Sequence, residues 1–200
     1  MPGPEFLARF GIFSVRDFID AAACAELRAE MRRASERPAT VSVREEEVDE
    51  AYRRTKMAQV SEATRGAVMD RLVAVMPKLE EHFGVSLTGL QRPQFLVYRE
   101  GDFFRRHTDR AEGPDAAEDV RARRVSTVLF LGGHGGADEN GHEGGELTFY
   151  GLVGEGPRGE AIGLPLIPAP GLLVAFPSEL VHSVTPITRG ERFTIVSWFS

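Results

Sequence analysis

The chain has 200 residues, 42% of them hydrophobic, and 30 acidic against 24 basic side chains give it a formal charge of −6. This length and apolar content suit one globular domain that buries about 70% of its unfolded surface, so folding requires neither a metal nor a disulfide. The acidic balance argues against non-specific binding to nucleic acid, which rests on phosphate neutralisation, and leaves only local clusters such as Arg121, Arg123 and Arg124 as anion contacts.

At the N-terminus, MPGPEFLARF lacks the basic start and apolar core of a signal peptide. No apolar run of about 18 residues occurs, so a cytoplasmic protein with no membrane partner is expected. GIFSVRDF is a strand candidate, and Asp20 then caps a helix running through AELRAEMRRASE to the Pro38 stop. The single cysteine, Cys24, lies in the AAACAEL stretch of that helix. It reads as a small buried residue rather than a nucleophile, and a reducing compartment fits it. The acidic block EEEVDE, residues 45 to 50, reads as a solvated face. Ser61 caps a second helix, on which Val68, Leu72, Val75, Leu79 and Phe83 recur at helical spacing before Gly84. Pro77 falls inside that pattern and should kink or divide the helix. Residues 1–85 are thus mainly helical support.

The pattern changes at Arg92. RPQFLVYR, FFRRHTD, RVSTVLFLG, GELTFY, GLLVAFP, LVHSVTP and ERFTIVSWF are short runs rich in Val, Thr, Phe, Ile and Leu, punctuated by Gly and Pro. Such spacing predicts an α+β chain in which residues 92–200 form a sandwich or jelly roll, residues 1–200 together making one domain. Two interruptions, residues 110–123 and 132–145, are long enough to be functional lids or disordered, and residues 111–121 are expected to be mobile without substrate.

His107 and Asp109 are one residue apart at the end of FFRRHTD, a spacing that points both side chains to one face of a strand. An H-x-D match arises about 0.2 times by chance in such a chain, so the pair needs further ligands to carry weight. His82 ends a helix, where the dipole accounts for it. His134 and His142 fall in a Gly-rich loop that no regular element positions, and read as solvent-exposed loop residues. His182 begins a strand that a sandwich can set opposite FFRRHTD. Two histidines and a carboxylate with open positions form the facial triad of non-haem Fe(II) oxygenases. Arg192, ten residues after His182, lies inside the next strand, whereas Arg189 falls in the turn before it. A strand-rooted guanidinium can clamp one end of a dicarboxylate such as 2-oxoglutarate while the other end chelates the metal.

YREGDFFRRHTD, RVSTVLFLG, GGELTFY and PSELVHSVTPITRGERFTIVSWF, in that order over about residues 92 to 200, resemble the Fe(II)- and 2-oxoglutarate-dependent dioxygenases of the prolyl 4-hydroxylase-like branch. FSVRDFIDAAACAEL is similar to the strand and helix that open this branch. The resemblance implies a double-stranded β-helix with His107, Asp109 and His182 on iron and Arg192 on the distal carboxylate of 2-oxoglutarate. It also implies that Tyr98, Thr194 and Trp198 line the cosubstrate pocket and that Gly144 and Gly145 precede a strand packed over the site. One departure is visible: where many relatives carry Tyr-Leu-Asn, this chain has Phe130, Leu131 and Gly132, so a tyrosine that helps hold 2-oxoglutarate in some members is absent.

The implied activity is hydroxylation of an unactivated C–H bond, with O2 as oxidant, succinate and CO2 as coproducts, and room for ascorbate as an accessory reductant. The substrate is a protein or peptide, with a prolyl residue as the branch's namesake, or a small molecule such as a free amino acid. Two other readings stand beside it: a non-catalytic jelly-roll binding protein, and a cupin-like metalloenzyme that ignores 2-oxoglutarate and has no need of Arg192.

Overall fold

The computed structural model describes residues 4–39, 51–113, 116–135, 141–154 and 156–200. Helix α1 (Pro4–Ala8) leads into β1 (Phe13–Val15), and α2 (Ala21–Arg33) into β2 (Glu36–Pro38), β3 (Arg53–Arg54) and β4 (Lys56–Ala58). After α3 (Glu62–Phe83) come β5 (Gln94–Tyr98), β6 (Phe103–His107), α4 (Glu118–Ala122), β7 (Val125–Phe130), β8 (Gly133–His134), β9 (Gly141–Gly144) and β10 (Leu147–Tyr150). The order ends with α5 (Gly156–Ala161), β11 (Gly163–Leu166), β12 (Leu173–Pro177), β13 (His182–Val184), β14 (Ile187–Gly190) and β15 (Arg192–Phe199).

Both predicted helices form, and their caps explain where they start. Asp20 accepts a hydrogen bond from Ala23 N at 2.8 Å, and Ser61 Oγ accepts one from Thr64 N at 3.2 Å. The first helix ends at Arg33, short of the expected stop, because residues 36–38 pair as a strand with β4. Gly84 closes α3 in the left-handed conformation, φ +63°. Pro77 does not divide α3. Val73, four residues earlier and the carbonyl that loses its partner, is 47% exposed, so the freed group lies on the solvent side. The acidic block of residues 45–50 lies outside the described residues.

The strands assemble into a seven-stranded sheet, β1-β12-β7-β15-β5-β4-β2, a five-stranded sheet, β11-β10-β13-β6-β3, and a small sheet, β14-β9-β8. All seven predicted runs are strands. The N-terminal part is less helical than expected, since β1, β2 and β4 extend the large sheet and β3 edges the five-stranded one. Period-two alternation sorts the large sheet into two faces. Phe95, Val97, Phe193 and Ile195 share one core with Met31, Val68, Leu72 and Leu79 of α2 and α3. Each such side chain removed from water contributes about 1.5–3 kcal/mol. The intervening residues Leu96, Tyr98, Arg192, Val196 and Trp198 line a cavity on the opposite face, whose other wall includes Arg53, Phe104, His107, Leu147 and His182 of the five-stranded sheet. The two sheets thus face each other across a double-stranded β-helix, and the cavity of about 90 Å³ lies between them.

Candidate active site

The turn that delivers the H-x-D pair is built by Gly101 and Asp102. Gly101 takes φ +82°, and the Asp102 carboxylate accepts from Arg99 N at 2.9 Å, turning the chain from β5 in one sheet to β6 in the other. The regular strand ends at His107, so Asp109 lies beyond it, in contrast to the sequence expectation. It is held there by its own backbone, whose N–H donates to Ser178 O at 2.9 Å. His182 stands opposite His107, as expected, on the neighbouring strand in the β6–β13 register. The register shifts between His182↔His107 and Val184↔Phe104, two steps on β13 matching three on β6. That bulge lets the Phe104 ring stack on His107 at 3.5 Å between centroids.

These local features bring three ligand atoms of His107, Asp109 and His182 within 4.8 Å of one another. Asp109 Oδ1 is 3.7 Å from His107 Nε2, and Oδ2 is 3.5 Å from His182 Nε2. Each Nδ1 lies beside a backbone carbonyl, Arg105 O at 2.7 Å and Leu180 O at 2.8 Å. A carbonyl only accepts, so both rings carry their proton on Nδ1 and aim an Nε2 lone pair at the carboxylate side. Burial, with a smaller effect from His107, lowers the His182 pKa to about 4, which keeps that ring neutral. For Asp109, burial alone would raise the pKa, but His182, His107 and the Ser126 hydroxyl together hold it far below the usual carboxylate range.

Arg192 enters the same cavity from the first position of β15, 2% exposed. Its Nη1 donates to Thr194 Oγ1 at 3.2 Å, and the Tyr98 side chain interacts with it electrostatically, while Nε has no partner among the described residues. The guanidinium carbon lies 4.9 Å from the Tyr98 ring and 5.3 Å from the Phe130 ring, so Phe130 presents an aromatic face without a hydroxyl. Glu146 acts on Arg192 through space, but its carboxylate already accepts from the Thr185 hydroxyl. A buried cation surrounded mainly by neutral groups is a receptor for an anion. Arg189 lies on β14 rather than in a turn, and pairs on the surface with Glu143 at 2.6 Å.

Residues 93–200 match the description of the 2OG-Fe(II) oxygenase superfamily. The chain belongs to this superfamily. It is 37% identical over 106 residues to a PKHD-type hydroxylase of Shewanella oneidensis, a match covering 53% of this chain and 41% of that protein. The matched region therefore spans less than half the length of that relative. A crystal structure of a Pseudomonas putida prolyl-4-hydroxylase superposes with a TM-score of 0.67 at 26% identity, over 98% of this chain and 95% of that one. The fold is shared with a Trichoplax adhaerens prolyl hydroxylase in complex with a hypoxia inducible factor peptide fragment, TM-score 0.70 at 17% identity, over 98% of this chain and 86% of that one.

Superfamily membership implies Fe(II), 2-oxoglutarate and O2, and the donors present fit them. Two imidazole nitrogens and one carboxylate on one side of a cavity are the donor set suited to Fe(II) with positions left open. Arg192, a guanidinium buried in the same cavity, suits the far carboxylate of a dicarboxylic acid.

Several residues at the site escaped the sequence analysis. Arg53, on the two-residue strand β3, is buried with its guanidinium 4.6 Å from the Phe104 ring centroid, and it interacts electrostatically with the Tyr98 side chain, as Arg192 does. Val120 of α4 lines the cavity, and Arg123, expected as an anion contact, is instead buried over the Trp198 ring. Val120 is buried, so the 110–123 interruption has an anchored helix where a uniformly mobile loop was expected. His142 likewise departs from expectation: it lies on β9, paired with both β8 and β14, and is 1% exposed. His134 stands exposed on β8. The signal for Arg53 and Val120 was weak, since β3 and α4 are too short for periodicity to show.

Proposed function

We propose that this chain is an Fe(II)- and 2-oxoglutarate-dependent hydroxylase acting on a prolyl residue of a peptide. One observation carries the reading: the His107, Asp109 and His182 ligand atoms and the buried guanidinium of Arg192 face a single cavity. When bound, the ion and its cosubstrate supply the oxidation of an unactivated C–H bond by O2, with succinate and CO2 as coproducts.

The residues act by holding and excluding. His107, Asp109 and His182 hold the ion, the two Nδ1–H groups bonded to strand carbonyls setting the ring planes. Arg192, flanked by Thr194 and Tyr98, holds the distal carboxylate of 2-oxoglutarate. Trp198, Val196, Val184 and Leu147 keep the inner cavity apolar and short of water. No side chain need serve as a general base. The burial of Arg192 argues against a cupin-like enzyme without 2-oxoglutarate, which has no use for that cation.

The peptide assignment is supported by the 26% identity to a prolyl-4-hydroxylase over nearly the whole chain. It is also supported by an open groove beside the cavity, lined by Tyr52, Phe103 to Arg106 and Ser183 to Pro186 and sharing Tyr52, Phe104 and Val184 with it. Among the described residues no helix is long and apolar enough to cross a membrane, and a cytoplasmic site of action is part of this proposal.

Incubating the iron-loaded protein with 2-oxoglutarate, isotopically labelled O2 and a panel of proline-containing peptides and free amino acids tests the reading. Succinate production with one labelled oxygen gained by a prolyl peptide is the expected result. Tight binding of iron and 2-oxoglutarate with no succinate under any condition would instead identify a binding protein. Labelling confined to a free amino acid would reject the peptide assignment.

A further inference from the structure

His142 is almost completely buried, and neither Nδ1 nor Nε2 has a hydrogen-bond partner among the described residues. Unpaired polar atoms are costly in an interior, so an imidazole here, in place of a phenyl ring, calls for a cause. Its position offers one. In the β9–β14 register His142 stands opposite Gly190, two residues before Arg192. A methyl group placed on Gly145 would lie 3.4 Å from His142 Cδ2 and 3.0 Å from Arg192 Cδ, so the imidazole and the arginine stem flank the same bare glycine. Arg192 Nε is also buried and unpartnered. An unused donor on β15 and an unused acceptor on β9 therefore lie on either side of one glycine.

We propose that His142 is a positioning residue for Arg192, its imidazole accepting a hydrogen bond from Arg192 Nε, directly or through one water, when an anion fills the cavity. The inference rests on the reading of Arg192 as the holder of the distal carboxylate. A guanidinium can turn about its Cδ–Nε bond. Tying Nε to a strand-borne acceptor fixes the plane and presents the edge formed by Nη1 and Nη2 to a carboxylate. The acceptor must be neutral. Burial first, then the Arg192 charge, bring the His142 pKa down to about 4, leaving a free lone pair at neutral pH. A phenyl ring would fill the same space without that lone pair.

The test is calorimetric titration of the Mn(II)-loaded protein with 2-oxoglutarate and, separately, with 2-oxobutyrate, which keeps the 2-oxo acid end but lacks the distal carboxylate. His142→Phe should weaken 2-oxoglutarate binding about 10-fold while changing 2-oxobutyrate and Mn(II) binding less than about twofold. Either His142→Gln or His142→Asn, whose amide oxygens mimic the two ring nitrogens, should recover most of the loss. In an Arg192→Ala background His142→Phe should have no further effect. Wild-type affinity in His142→Phe, an equal loss for both acids, or an undiminished loss without Arg192 would each overturn the proposal. If Arg192→Ala alone binds 2-oxoglutarate normally, the reading of Arg192 fails and the proposal falls with it. Should His142→Phe not fold, imidazole ¹⁵N spectra of the 2-oxoglutarate complex decide: the acceptor nitrogen of His142 should shift on Arg192→Lys, and an unchanged spectrum would reject the bond.

Discussion

The guanidinium of Arg123 lies over the indole of Trp198, 3.8 Å from the ring centroid. The same group donates from Nη1 to the Asp109 carbonyl at 3.1 Å and from Nε to Gln91 Oε1 at 2.9 Å. One side chain thus ties a cavity-lining aromatic to the backbone of a candidate metal ligand. Arg123→Met keeps the stem and removes the fork. It should cost about 1–3 kcal/mol of stability, read by chemical denaturation, and weaken metal binding modestly. Unchanged stability would show that the stack contributes nothing net.

Replacing His107 or Asp109 with Ala should abolish iron-dependent 2-oxoglutarate decarboxylation while leaving the circular dichroism spectrum intact. Both side chains face the cavity, outside the core shared by α2, α3 and the large sheet. Retained turnover in both variants would sink the triad.

Arg192→Ala should raise the dissociation constant for 2-oxoglutarate by about 30-fold to a few thousandfold, equivalent to about 2–5 kcal/mol for losing the partner of a desolvated carboxylate. Metal affinity should be spared. Arg192→Lys should recover only part of the loss, because a point charge lacks the planar fork. Arg189→Ala should do little, since its pair with Glu143 is on the surface. Anaerobic titration of the iron-loaded proteins measures all three.

Gly145→Ala tests the close approach on which the site is packed. At φ +68° an alanine is strained, and its methyl would lie 2.2 Å from Ile187 Cδ1 and 3.0 Å from Arg192 Cδ. A loss of about 1–3 kcal/mol is expected from the overpacking, together with weaker 2-oxoglutarate binding as Arg192 is displaced. A variant as stable as the wild type would mean that β9 and β14 separate easily.

The pH dependence follows from His142, whose pKa falls from 6.5 to about 4 on folding, through burial, Arg192 and His134 in that order, with Glu146 opposing. Between those values the unfolded chain binds a proton that the folded protein excludes. Stability should therefore be full above about 6.5 and fall as the pH drops towards 4, with a slope of at most about 1.4 kcal/mol per pH unit from this group. His182 shifts the same way, so the informative quantity is the difference between the wild type and His142→Phe, measured as melting temperature against pH in metal-free protein. Parallel curves would show that His142 titrates normally.

The legible part of the molecule was local. The seven strand runs, the Ser61 and Gly84 helix ends, and the His107, Asp109, His182 and Arg192 candidates all rest on spacings of a few residues or on alternation within one strand. The facing of β15 is a clear case: Arg192, Val196 and Trp198 point into the cavity and Phe193 and Ile195 into the helix-backed core, as period two requires.

What stayed hidden depended on which distant segments become neighbours. Arg53 reaches the Phe104 ring because β3 pairs with β6, and Arg123 reaches Trp198 because β7 pairs with β15. His142 comes to flank the same glycine as Arg192 because β9 lies against β14, the strand that leads into β15, turning a Gly-rich stretch that reads as loop into buried strand. Propensity and periodicity describe a strand's own faces and carry no information about its partner or register. Those are settled by long-range pairing, in which closing the chain and burying the sheet faces are satisfied together. The sequence by itself determined the seven strand runs after Arg92, the caps and the ligand types; the tertiary structure alone decided the remaining strands and which charges and rings surround the site.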